Sequence, residues 1–193
     1  KMSDEGKKII RKYAANTVRE GHIGIRNAVG VYNPRTENVG VQAVADFVVV
    51  IHEVTHHIDR TKDLSPKFMQ ATGESTQGNP IYDKSTRDIR KALSGVYVDY
   101  YGGGRMDHPL RKRMSEGLAT FLESMVSRPE DIRAKYPILI KEILQPGGRF
   151  YDPTLESLSK DGQDVIRRYQ ALDPLSKIGT RTSSEGFSVD RKS

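Results

Sequence analysis

The chain has 193 residues, 36% hydrophobic and 29% charged, enough for one domain with a sizeable core. Its 31 Lys and Arg against 25 Asp and Glu leave a net charge of +6, mixed through the sequence, so attraction to polyanions is weak at most. The absence of cysteine excludes disulfides, thiolate metal sites and a cysteine nucleophile; any metal must be held by His and carboxylates.

No apolar run approaches the ~18 residues of a membrane span, and residues 1–8 lack the apolar centre of a secretory signal. The opening Lys1-Met2 reads as a piece cut from a longer chain. Residues 4–20 read as a basic, weakly amphipathic helix with Ile9, Ile10, Tyr13 and Val18 on its apolar side. Alternation from Val29 to Val41, interrupted by Asn33-Pro34 and Asn38, predicts a β-hairpin. Residues 43–60 place Val44, Phe47, Val48, Ile51, Thr55 and Ile58 at three- and four-residue spacing, the clearest helical stripe in the chain.

Residues 61–83 hold Pro66, Gly73, Gly78 and Pro80 and read as a long loop of the functional or disordered kind. A helix is predicted near 86–96, followed by the aromatic stretch Tyr97 to Tyr101 and the hinge Gly102-Gly103-Gly104. Pro109 opens another helix to about Val126, with Leu110, Met114, Leu118, Phe121, Leu122 and Met125 toward the core. Helices over 127–144, ended by Pro146-Gly147-Gly148, and over 155–172 follow. The reading is one domain over 1–173 with a loosely held tail over 174–193.

His52-Glu53-Val54-Thr55-His56 falls within the predicted helix over 43–60. Histidines four apart are separated by ~40° around a helix and lie one turn apart along it, so both imidazoles reach one ion. Glu53 is offset enough to miss the ion and hold a water beside it, which makes it the candidate general base. With 5 His and 11 Glu, random order produces this pattern about 0.7% of the time, so its helical setting carries the argument further than its occurrence. His57 lies ~100° further round the helix and reads as a core or hydrogen-bonding residue.

A catalytic zinc needs a third protein ligand and an open fourth position. Lys62 stands where one common zinc pattern has a third His, and Glu116 in Ser115-Glu116-Gly117-Leu118-Ala119 is the leading candidate. Ala119, three residues on, would let two helices approach across the ion. His108, Asp59 and Asp63 are rival third ligands; Asp59, three after His56, reads better as a partner behind the ligands, and Glu123 as another.

His52 to His56 followed by Glu116 in a helical Glu-x-x-Ala setting resembles the gluzincin branch of zinc metallopeptidases. The segment Val29 to Val41 is similar to the edge hairpin that precedes the active-site helix in many zincins, where extended substrate pairs with the edge. The run from Glu116 to Phe121, with Pro129 and Tyr136-Pro137, resembles zincin-like domains embedded in large phage and mobile-element proteins. The 60 residues between His56 and Glu116 exceed the spacing of compact gluzincins.

The resemblance implies an α+β, zincin-like fold: a small sheet carrying the hairpin, packed on an active-site helix and a third-ligand helix, with C-terminal helices. It implies a Zn2+ metalloendopeptidase in which His52, His56 and Glu116 hold the metal and Glu53 moves the proton. Tyr101 and His108, with Tyr100 and Arg105 behind them, are candidate donors to the transition-state oxyanion. A protein or peptide substrate along the hairpin edge is the expected partner, with no membrane partner; the location is open between virion and cytoplasm, and the alternative reading is an inactive zincin-fold binding or structural module within a larger protein, polyprotein or phage particle. The basic runs Lys7, Lys8, Arg11, Lys12 and Arg111 to Arg113 read as solvated helix faces. Without interleaved aromatics they make nucleic acid an unfavoured partner.

Overall fold

A computed structural model describes residues 4–14, 18–20, 30–33, 38–41, 47–102 and 108–171. The expected tail over 174–193, the hairpin turn at Pro34, Val44 and Arg105 lie outside the described residues. Helices dominate, accompanied by two small sheets, so the α+β class holds in its coarse form.

Helix α1 is Asp4–Tyr13, shorter than expected, and the chain then forms strand β1, Val18–Glu20. Val18 therefore belongs to a sheet and not to the apolar side of α1. Ile9, Ile10 and Ala14 are buried where α1 packs on later helices, and Lys12 Nζ meets Asp161 Oδ2 at 2.6 Å. Strands β2, Gly30–Asn33, and β3, Asn38–Val41, form the expected antiparallel hairpin with Val31 opposite Gly40. β1 adds to β3 in parallel, so β3 is central and, among the described strands, β2 keeps a free edge on the hairpin. Parallel pairing of β1 leaves no local sequence signal, because the partners are 21 residues apart, as Val18 opposite Val39.

Helix α2 spans Phe47–Lys62 and packs on α1 and on β2 and β3. Ile51, Thr55 and Ile58 are buried as the stripe predicts, but Val50, Val54, Glu53 and Asp59 are buried as well. A helix covered on most sides has no single apolar face, so its periodicity understates its burial. The expected loop over 61–83 is largely structured. α2 runs to Lys62, Asp63 turns the chain at φ 50 and ψ 45, and α3, Leu64–Lys67, follows. Strands β4, Gly73–Glu74, and β5, Pro80–Ile81, then pair around a turn in which Gly78 takes φ 74.

Helix α4, Lys84–Tyr101, is capped by the Asp83 side chain on Thr86 N at 2.8 Å and absorbs the whole aromatic stretch. Its end is set by Gly102 at φ 75, whose N–H reaches Val98 O. Tyr97, Tyr100 and Tyr101, three and four apart, thereby share one helix face. Helix α5, Leu110–Ser127, buries Met114, Leu118, Phe121, Leu122 and Met125 as expected. The close helix approach falls at Gly117: an added Cβ would stand 2.4 Å from Leu93 O, so α4 and α5 touch backbone to backbone there.

The expected single helix over 127–144 is three pieces: α6, Pro129–Lys135; α7, Pro137–Leu139; and a π-helical turn, Ile140–Leu144. Pro137 lacks the N–H that would continue α6, and the chain breaks at Tyr136. Helix α8, Pro153–Ala171, packs on α1, α2 and α5 and buries Leu155 and Leu158. Gly162 lies where a Cβ would be 2.5 Å from the Val126 side chain. No helix among the described residues is long and apolar enough to cross a membrane.

The start of α8 is tied to the end of α2. Asp152 Oδ1 accepts from Thr154 N at 2.8 Å and Leu155 N at 3.2 Å, and Lys62 Nζ binds both carboxylate oxygens at 2.8 and 2.9 Å. Burial opposes the charge on Asp152, but Lys62 and the backbone amides outweigh it and hold its pKa below the usual range. That depression contributes stability above the unfolded-state pKa, near ~3.9, which disappears as pH falls through the lower folded-state value. Asp152→Asn keeps the cap and removes the charge. It is expected to cost about 1 kcal/mol at pH 7. The gap to wild type should begin to close only below about pH 4 and vanish once the pH is below the lower folded-state value, as read by urea unfolding at pH 7 and across that acid range.

Candidate metal centre

Helices α2 and α5 build the centre. His52 and His56 lie one turn apart on α2, and α5 crosses that face with Glu116 in its second turn. His52 Nε2 is 3.2 Å from His56 Nε2, and Glu116 Oε2 is 3.5 Å from each. Among the described residues, His52, His56 and Glu116 are the group of His, Asp and Glu donors that converges in this way. A tetrahedral ion with bonds near ~2.05 Å needs ligand atoms roughly 3.3 Å apart, so the triangle fits zinc without rearrangement.

The hydrogen bonds behind the histidines decide where their protons are. His52 Nδ1 lies 2.9 Å from Glu123 Oε2; the carboxylate accepts, so Nδ1 donates and neutral His52 presents a bare Nε2 to the triangle. His56 Nδ1 lies 3.1 Å from Ser115 Oγ, and Ser115 Oγ donates to Asp59 Oδ2 at 2.6 Å. With that proton engaged, Ser115 accepts from His56 Nδ1, and the second Nε2 is bare too. With both imidazoles neutral, two lone pairs and a carboxylate oxygen would meet at one point, which a positive charge satisfies, either a metal ion or a proton held between His52 and His56 Nε2, 3.2 Å apart.

The titration of the isolated residues reflects that demand. Burial works against charge on His52, but Glu116 and Glu123 overcome it and raise its pKa to about 9. Burial likewise opposes charge on Glu116, yet His52 and His56 hold its carboxyl well below the usual range. Glu53, 7% exposed, has its pKa raised, chiefly by burial, with His52 and His56 pulling the other way.

The remaining sequence candidates fall into place around this triangle. Asp59 stands outside the triangle: it is 5% exposed and accepts from Ser65 N at 2.6 Å, Ser65 Oγ at 2.7 Å and Ser115 Oγ. Asp63 is outside it too; its left-handed backbone, which Asp tolerates, turns the chain so that Ser65 reaches Asp59. Glu123 is the carboxylate that meets His52 Nδ1. Tyr101 donates its hydroxyl to Glu116 Oε2 at 3.1 Å, and burial together with the Glu116 charge raises its pKa. It is thus bound to a candidate ligand. His108 pairs with the Tyr97 hydroxyl through Nδ1 at 2.6 Å and is not a member of the triangle. Tyr97 in turn packs on Tyr101, ring centres 4.9 Å apart.

Tyr100 lies 3.5 Å from Glu123 Oε1 and is 49% exposed. It also walls a cleft of about 410 Å³ floored by Thr120, Ser124 and Ile132. His57 is partly buried and outside the triangle. Lys8, Arg11, Lys12, Arg111 and Lys112 are exposed. Sequence reasoning missed Ser115 and Ser65, because a serine's role depends on its partners; the one available signal was that Ser115 directly precedes Glu116. No family model, curated protein or solved structure matches this chain.

Proposed function

We propose that this protein is a zinc-dependent peptidase of zincin-like fold, with His52, His56 and Glu116 as metal ligands and Glu53 as general base. The observation that supports it is the 3.2, 3.5 and 3.5 Å triangle of His52 Nε2, His56 Nε2 and Glu116 Oε2. Three protein donors leave one tetrahedral position for water or substrate, the mark of a catalytic rather than a closed zinc site. Zinc, when bound, supplies Lewis acidity that activates water near neutral pH and polarises a carbonyl.

The protein's own residues do the rest. Glu53, held nearly dry beside the two ligand histidines, has a raised proton affinity. That lets it take the proton of the attacking water and return it to the leaving amine. Glu123 and the Ser115–Asp59 pair keep both imidazoles in the tautomer that presents Nε2. Tyr101 holds Glu116 Oε2 through its hydroxyl and is the candidate donor to a developing oxyanion. Among the described strands, β2 offers an edge with which an extended peptide would pair.

The test is metal content by elemental mass spectrometry on protein purified without added metal. About one zinc per chain is expected in the wild type and less than roughly a tenth of that in His56→Ala and Glu116→Ala. A wild type that stays metal-free even when zinc is supplied would overturn the reading.

A further inference from the structure

We propose that Ser115 is a positioning residue for His56: its hydroxyl carries the hydrogen-bonding demand of Asp59 across to the imidazole and fixes Nδ1 as the protonated nitrogen. Its purpose rests on the metal-centre reading above; its direction follows from the donors and acceptors alone.

Asp59 can only accept when ionised, and its position is set independently of the histidines by Ser65 N at 2.6 Å and Ser65 Oγ at 2.7 Å. Asp59 and Ser65 are 5% and 2% exposed, so water competes little for these bonds. Oδ2 is thereby fixed where Ser115 Oγ reaches it at 2.6 Å, and the single hydroxyl proton points there. What Ser115 turns to His56 Nδ1, at 3.1 Å, is a lone pair. Nδ1 must carry the proton and Nε2 must be free.

His52 reaches its carboxylate, Glu123, directly. For His56 the carboxylate is three residues along the same helix and is met through a serine on the facing helix, next in the chain to Glu116. One turn of α5 thus supplies both a ligand and the group that orients a second ligand, so a shift of α5 would disturb both together.

The two ends of the relay predict different outcomes. Ser115→Ala removes it, leaving His56 free to exchange tautomers. Asp59→Asn reverses it: an amide N–H in place of Oδ2 donates to Ser115, whose proton then turns to His56 Nδ1 and forces the Nε2–H form. Ser115→Thr retains the hydroxyl.

The experiment titrates the full, metal-stripped chain with Zn2+ against a chromophoric chelator and reads the His56 tautomer by long-range 1H–15N NMR. Expected are an Nδ1–H His56 in wild type and Ser115→Thr, mixed tautomers in Ser115→Ala and the Nε2–H form in Asp59→Asn. Zinc affinity should fall about 10–100-fold in Ser115→Ala, at least as far in Asp59→Asn, and recover in Ser115→Thr. Unchanged affinity and an unchanged tautomer in Ser115→Ala would reduce the serine to packing and overturn the proposal. If the wild type binds no zinc, the metal reading fails and the tautomers decide alone: the Asp59→Asn reversal upholds the relay, and its absence removes it.

Discussion

Glu53→Gln should leave about one zinc per chain in place. It should also lower peptide hydrolysis by roughly 10²–10⁴-fold, the contribution expected of a positioned general base. Glutamine keeps the shape of the side chain but cannot accept the water's proton. Because Glu53 is not part of the converging triangle, its neutralisation removes no ligand atom. Its burial is what makes the role workable: a carboxyl at 7% exposure has a raised proton affinity, whereas one in water would hold a proton poorly near neutral pH. The measurement pairs turnover of a quenched-fluorescence peptide library with zinc content on the same preparations. Undiminished cleavage with zinc still bound would remove Glu53 from the mechanism.

The second large effect is on stability. An ion that binds only the folded chain stabilises it by about 4 kcal/mol when free zinc is 1,000 times Kd. For a chain of this size that is roughly 8–16 °C in Tm. The centre joins α2 to α5, which pack on each other and contribute Ile51, Val54, Leu118 and Leu122 to one buried core, so unfolding either helix forfeits the ion. Glu116→Ala should abolish the zinc-dependent rise, as should His56→Ala. In the absence of zinc, Glu116→Ala should still cost some stability, because it removes the carboxylate that pairs with His52 and His56 at 3.5 Å. Calorimetry with and without zinc on the three proteins checks this, and an equal rise in all three would place the ion elsewhere.

The elements most visible in the sequence were those whose periodicity and stop signals agreed. The core side of α5, read from Met114, Leu118, Phe121, Leu122 and Met125, matches its burial, and Pro109 marks its start. The sequence ends α4 near Val96, before the aromatic stretch, while packing of Tyr97 into the core and the Gly102 cap extend the helix to Tyr101. The segment over 61–83 was read as a loop because its Pro and Gly content is high. Two- and four-residue elements such as β4, β5 and α3 are too short to show a period.

At the centre, the sequence by itself determined the local half: His52, Glu53 and His56 share a helix, and helical spacing alone presents both imidazoles to one point. It narrowed the distant ligand to Glu116 among Asp59, Asp63 and His108 without being able to choose on distance. Only the tertiary structure brings Glu116 within 3.5 Å of both histidines, through the crossing of α2 and α5. The same crossing places Ser115 between His56 and Asp59, Glu123 on His52 and Tyr101 on Glu116. The physical reason is one of range. Residues within one helix are related by its pitch, which composition and spacing encode. Proton direction and ligand convergence instead depend on ångström-scale distances between helices, set by how their surfaces pack.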